Sequence, residues 1–280
     1  MFWRQKIMKC NIKRVAAVYF SGTGTTEKVV TAAAKRMAEK LGAEYAAFDF
    51  TTPKAREDVL AFSDTDAVVF GTPVYAGRVP NVLLPYLTKK VRGGGALAVP
   101  VVLYGNRNFD DALIELRDIL EADGFRTIAA GAFVGEHSFS RILGAGRPDE
   151  KDMEQAERLA DTACERLASG APESPVAVKG CSPLRPYYTP RDRAGNPVNI
   201  LKVKPKTSDK CTKCGLCVRL CPMGSIDAAD PSNVTGICIK CGACVKKCPE
   251  GAKYYDDERY IYHMRELEAG YARRAEPELF

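Results

Sequence analysis

The chain has 280 residues, 46% of them hydrophobic, and a formal charge of +6 from 41 basic and 35 acidic side chains. That length admits two domains, and without a dense Lys/Arg block the mild positive charge does not point to nucleic acid as a partner. No apolar run approaches the roughly 18 residues that span a bilayer, and residues 1–10 lack a signal peptide's apolar stretch; no integral membrane contact is expected, and a cytoplasmic location is, where the 11 cysteines stay reduced.

Short β-rich runs alternate with helical segments over residues 14–169, the pattern of a parallel sheet covered on both faces. Strands are predicted at residues 14–20, 44–50, 67–71, 97–104 and 127–134. Helices are predicted at 25–41, 81–89 and 110–123, and a last one opens at Pro148 and Asp149 and runs to about residue 169. This is the order of a doubly wound α/β fold, whose ligands lie beyond the carboxyl ends of the strands. Residues 1–170 are assigned to this domain, 171–205 to a linker, 206–255 to a second, smaller α+β domain and 256–280 to a charged C-terminal helix or tail.

The turn after the first strand reads Ser21-Gly22-Thr23-Gly24-Thr25-Thr26 and leads straight into a helix. Backbone N–H groups and hydroxyls there form a concavity without a cation, suited to a phosphate held by hydrogen bonds and the helix dipole. A Walker loop is excluded, because Gly-Lys-Ser/Thr is missing. A dinucleotide site stays open: Asp49 ends the second strand where a ribose-binding acid would sit, although Glu27 replaces the third glycine of that fingerprint. The fifth strand runs into a long loop, residues 135–148, which contains His137 on the ligand-facing edge. His137 can donate to a bound ligand or protonate a substrate near neutral pH; the plainer reading is a solvated or hydrogen-bonded loop histidine.

Residues 170–206 are rich in proline and glycine, with seven Lys/Arg against one Asp from Lys179 to Lys206. This is linker composition, and its charge either is simply solvated or attracts an acidic partner. Eight of the 11 cysteines follow in two matching runs. The first is Cys211, Cys214, Cys217 and Cys221 before Pro222; the second is Cys238, Cys241, Cys244 and Cys248 before Pro249. Three thiolates at this spacing converge on one cubane while the fourth is directed to a second, which is the bacterial two-cluster ferredoxin pattern. The expected ligand sets are Cys211, Cys214, Cys217 and Cys248 for one [4Fe-4S] cluster, and Cys238, Cys241, Cys244 and Cys221 for the other. Structural zinc is the competing reading, since paired cysteines two residues apart also suit it, but a third cysteine and a proline in each run exceed its needs. Such clusters suit a reducing, low-oxygen cell interior. Cys10, Cys164 and Cys181 fall into no redox spacing, and His263 and Met264 have no ligand pattern around them.

Residues 21–26 resemble the flavodoxin phosphate motif, and together with the cysteine runs the chain resembles the flavodoxin–ferredoxin fusions called EFR1-family ferredoxins. The resemblance implies a flavodoxin-like sheet of order 2-1-3-4-5 and FMN with its phosphate on Ser21, Gly22, Thr23, Gly24, Thr25 and Thr26. It also implies that two loops border the flavin ring: Pro73, Val74, Tyr75, Ala76 and Gly77 after the third strand, and Tyr104, Gly105, Asn106 and Arg107 after the fourth. Tyr75 and Tyr104 are the aromatic candidates, or they merely cap strand ends. The departures are a shortened segment between strands two and three and the loop 135–148. The expected function is electron transfer between FMN, two [4Fe-4S] clusters and an external redox partner protein or small electron acceptor. The alternative is an FMN-dependent reductase of a quinone, nitro or similar two-electron acceptor, with His137 as its catalytic acid.

Overall fold

The computed structural model describes residues 11–170 and 172–280; Cys10 lies outside the described residues. The first domain is built from β1 (Arg14–Tyr19), α1 (Thr25–Leu41), β2 (Glu44–Asp49), β3 (Asp66–Pro73), α2 (Leu84–Lys90), β4 (Leu97–Tyr104), α3 (Ala112–Ala122), β5 (Gly131–Val134) and α4 (Glu150–Ala168). The five strands are parallel and ordered β2-β1-β3-β4-β5, as the sequence implied. Both faces of β1 are buried, so its side chains divide by period two. Val15, Ala17 and Tyr19 join the core under α1 and α4, and Ala16, Val18 and Phe20 join the core on the opposite face, under α2 and α3. Asp149 caps α4 in a reciprocal box with Asp152, which explains why the helix opens where Pro148 and Asp149 stand.

The fifth strand differs from its prediction. Residues 126–127 pair with Leu97–Ala98 and residues 131–134 with Val101–Tyr104, leaving three residues opposite Val99 and Pro100. Pro100 has no N–H for the ladder, so the partner bulges there.

The second domain contains β6 (Lys206–Thr207), α5 (Leu216–Leu220), α6 (Ala243–Lys246) and β7 (Lys253–Tyr254), with β6 and β7 antiparallel. Its buried apolar residues are few: Ile226, Ala243 and Ala252. A unit this small needs other staples.

The C-terminal segment is more than the helix or tail expected. It forms α7 (Glu258–Gly270), capped by Asp257, and then returns to the first domain as β8 (Glu278–Leu279), antiparallel to β5 at the sheet edge. The linker is also fixed. Fully buried Asp111 accepts hydrogen bonds from the amides of Cys181 and Arg185 and from the Arg185 guanidinium, and Tyr187 donates its hydroxyl to the Val79 carbonyl at 2.8 Å. The second domain is therefore tied to the first at both of its ends.

Candidate functional site

At the carboxyl ends of the strands lies a narrow cavity. The loop after β1 contributes Gly22, Thr23, Thr25 and Thr26; the end of β3 contributes Pro73, Val74 and Tyr75; the end of β4 contributes Leu103, Tyr104 and Gly105. The remaining wall is residues 135–138 and, from the second domain, Cys241. Ser21 shapes the loop rather than lining it: its N–H donates to Thr51 Oγ1 at 2.8 Å and its Oγ accepts from the Glu27 N–H at 3.1 Å. Gly24 takes φ 102° at the N-cap of α1, where no side chain caps the helix. Ser21 Oγ takes the Glu27 N–H, so the N–H groups of Thr25 and Thr26 are the first-turn donors without a side-chain acceptor, and threonine hydroxyls surround them. That donor set fits a phosphate ester, and with it FMN.

Four of the expected ring-facing residues turn elsewhere. Tyr75 to Arg78 form a tight turn closed by mutual backbone bonds of 3.0 and 3.1 Å, with Ala76 at φ 51° and Gly77 at φ 77°. At its tip the Ala76 carbonyl accepts from the Tyr188 N–H, and Gly77 packs on Asp110, whose Oδ2 would stand 2.4 Å from an added β-carbon. Asn106 spends its amide on the C-terminal segment, donating to the carbonyls of Tyr271 and Arg273 and accepting from the Ala275 N–H. Arg107 pairs with Asp110 and lies over the Tyr188 ring at 4.5 Å. Linker and C-terminus, remote in sequence, have taken these groups.

Tyr104 lines the cavity from a buried position against Phe109, and burial raises its phenol to about 12. Tyr75 is half-buried, and burial, then the sulfurs of Cys241 and Cys238, hold its phenol well above the ordinary value. His137 packs on Gly105, where an added β-carbon would meet its Cδ2 at 2.2 Å, and its Nδ1 accepts from the Phe139 N–H. Burial, then the Lys246 charge, push its pKa down to about 3. With Nδ1 accepting, the neutral ring that burial favours carries its proton on Nε2. Leu103, Gly135, Glu136, Ser138 and Cys241 were not expected on this cavity; only the long loop signalled any of them.

The cysteines surround two further spaces. One is lined by Cys211, Cys214, Cys217 and Cys248; the other by Cys221, Cys238 and Cys241. Cys244 lines both. The fourth cysteine of each run therefore serves the space of the other run. The halves repeat each other in backbone: Lys213 and Lys240, Gly215 and Gly242, and Gly224 and Gly251 all take positive φ. The Ser225 N–H donates to Cys221 Sγ at 3.4 Å, and the Ala252 N–H to Cys248 Sγ at 3.3 Å. Among the described residues no three such side chains come close enough to share a single ion. Quartets around a volume, with amides directed at sulfur, fit cubanes better than one zinc ion.

The second of these spaces adjoins the first domain. A β-carbon on Gly242 would lie 2.5 Å from the Ser138 carbonyl oxygen. Lys246 pairs with Glu136 and donates to the carbonyls of His137 and Ser140 at 2.6 and 2.8 Å, and Arg56 bridges the Thr51 and Pro222 carbonyls, both at 2.6 Å. The first space faces away, and Cys214 is exposed there. No helix of the described residues is long and apolar enough to cross a membrane.

Residues 16–98 match a flavodoxin domain family and residues 210–253 a 4Fe-4S dicluster domain family. Similar solved structures include a flavodoxin from the domain Archaea, 14% identical over 56% of this chain and 99% of that one, with a TM-score of 0.41. A flavodoxin from Streptococcus pneumoniae TIGR4 is 17% identical over 55% of this chain and 99% of its own, with a TM-score of 0.39. An NADH:FMN oxidoreductase is 17% identical over 58% of this chain and 92% of its own, also with a TM-score of 0.39. No curated protein matches the sequence. A flavodoxin domain implies FMN, a dicluster domain with clustered cysteines implies two [4Fe-4S] clusters, and their union suggests electron transfer.

Proposed function

We propose that this chain, which joins an N-terminal flavodoxin domain to a C-terminal 4Fe-4S dicluster domain, is an electron-transfer protein with its cofactors in a fixed row. The row runs from FMN in the switch-point cavity to a proximal cluster on Cys221, Cys238, Cys241 and Cys244. It ends at a distal cluster on Cys211, Cys214, Cys217 and Cys248. FMN exchanges two electrons and a cluster one, so the union converts between two-electron and one-electron chemistry. The observation that carries this reading is Cys241, which lines both the switch-point cavity and the proximal space.

The protein's own residues hold the row together. Thr23, Thr25 and Thr26 offer hydroxyls to the phosphate, and the α1 N-terminus offers its amides. Lys246 and Arg56 lock the proximal half of the dicluster domain against the loops that close the cavity. Exposed Cys214 marks the face on which an external redox partner docks. The reductase alternative draws less support, because Ser138 and Cys241 take up part of the cavity wall and burial disfavours a charged His137.

The test uses anaerobically prepared protein assayed for FMN, iron and sulfide, then reduced in a stopped-flow instrument. Cys214→Ser is expected to lose the distal cluster and keep electron exchange between flavin and the remaining cluster. Cys241→Ser is expected to abolish that exchange. Equal internal rates in both variants would refute the proposed order.

A further inference from the structure

Lys253 lies in β7 with only 3% of its surface exposed, and it lines the distal space. Its ammonium donates to the Pro231 carbonyl and forms no ion pair among the described residues. The carboxylate that feels its charge is Asp230, which is exposed and already bonded to Ser232. A buried ammonium without a counter-charge is costly. Its cavity is walled by five cysteines and by three other charged residues, Lys213, Lys247 and Glu250, none of which pairs with it; its charge bears on Cys217 of the distal quartet and on Cys244.

The internal repeat sharpens the point. The position equivalent to Lys253 in the first half is Ile226, which is 6% exposed and lines the proximal space. One cavity has a buried cation where the other has a buried hydrocarbon. The remaining buried lysine of the domain, Lys240, is directed away from either space, with its ammonium on the carbonyls of Leu201 and Cys238 at 2.7 and 2.9 Å, and so staples the linker.

We infer that Lys253 is the counter-charge of the distal cluster and raises the reduction potential of that cluster more than that of the proximal one. The inference rests on reading Cys211, Cys214, Cys217 and Cys248 as cluster ligands. A cubane with four thiolates is an anion that gains one further negative charge on reduction. A fixed cation beside it therefore favours the reduced form, and net charge is one of the levers that set cluster potentials.

The experiment is a mediator titration with dithionite, followed by electron paramagnetic resonance, on anaerobic full-length protein of known iron and sulfide content. Lys253→Met is expected to keep both clusters and to lower the equilibrium constant for reducing one of them by roughly tenfold or more, and that for the other by clearly less. Lys253→Gln, which keeps a donor for Pro231 without the charge, should behave like Lys253→Met, and Lys253→Arg like the parent. If the neutral variants lose a cluster, retention in Lys253→Arg alone supports the counter-charge, and equal loss in all three overturns it. Two unshifted potentials at full iron content also overturn it. Absence of iron and sulfide from the parent protein would instead remove the cluster reading itself.

Discussion

Gly22 of the phosphate loop and Cys241 of the second cysteine run face each other so closely that a β-carbon on Gly22 would lie 3.2 Å from Cys241 Cβ and 3.5 Å from its sulfur. The two domains therefore meet at the residues that define their sites. Gly22 does not take a positive φ, so its lack of a side chain serves this approach and not a special backbone conformation. Gly22→Val is expected to keep iron and sulfide unchanged while slowing internal electron exchange several-fold. Stopped-flow absorbance of flavin and clusters reads both, and an unchanged rate would show that the contact is incidental.

The phosphate loop offers neutral donors only. Thr23→Val is expected to weaken FMN binding by about 1.5–3 kcal/mol, the range for a hydrogen bond to a charged group. Riboflavin, which lacks the phosphate, should bind far more weakly to the parent and be indifferent to the substitution. Calorimetric titration of flavin-free protein with each ligand checks this, and equal affinities for the two flavins would mean that the loop holds no phosphate.

His137 gives the fold a pH dependence of predictable sign. Its pKa is held at about 3 in the folded protein, against an ordinary value near 6.5 when unfolded. As pH falls through about 6.5 the unfolded chain takes a proton that the folded protein refuses, so stability drops over the window down to about 3. Between pH 7 and 5.5 the loss is roughly 1 kcal/mol. His137→Gln should flatten this part of the profile, as measured by anaerobic urea unfolding at the two pH values. A neutral imidazole also predicts that internal electron exchange shows no inflection near pH 6.5.

The returning C-terminus is a structural member of the first domain. Ala130 and Phe280 exchange both backbone hydrogen bonds, at 3.1 and 2.9 Å, and buried Arg147 binds the Ala275 carbonyl while pairing with Asp152. Removing residues 276–280 takes away the Ala130–Phe280 pair and the β5–β8 ladder and is expected to cost roughly 1–3 kcal/mol, read as a lower melting temperature. The same truncation should loosen the dicluster domain and slow internal exchange. Unchanged melting would show that β8 adds nothing to the sheet.

What the sequence by itself determined is local. Alternation of apolar residues in β1 set two buried faces, the Ser21–Thr26 turn announced an anion site at a helix start, and cysteine spacing announced two metal clusters. Each of these rests on neighbours within a few positions, where chain geometry alone relates one residue to the next. Only the tertiary structure decided which loop residues face the cavity. Asn106 and Arg107 looked available because their partners, the carbonyls of Tyr271 and Arg273 and the ring of Tyr188, lie far along the chain. The same holds for Cys241, whose sequence context describes a cluster ligand and nothing of the cavity it closes. The tail of the chain hid its strand for a related reason: two residues of β8 carry no pattern, and they become a strand because β5 offers an unpaired edge.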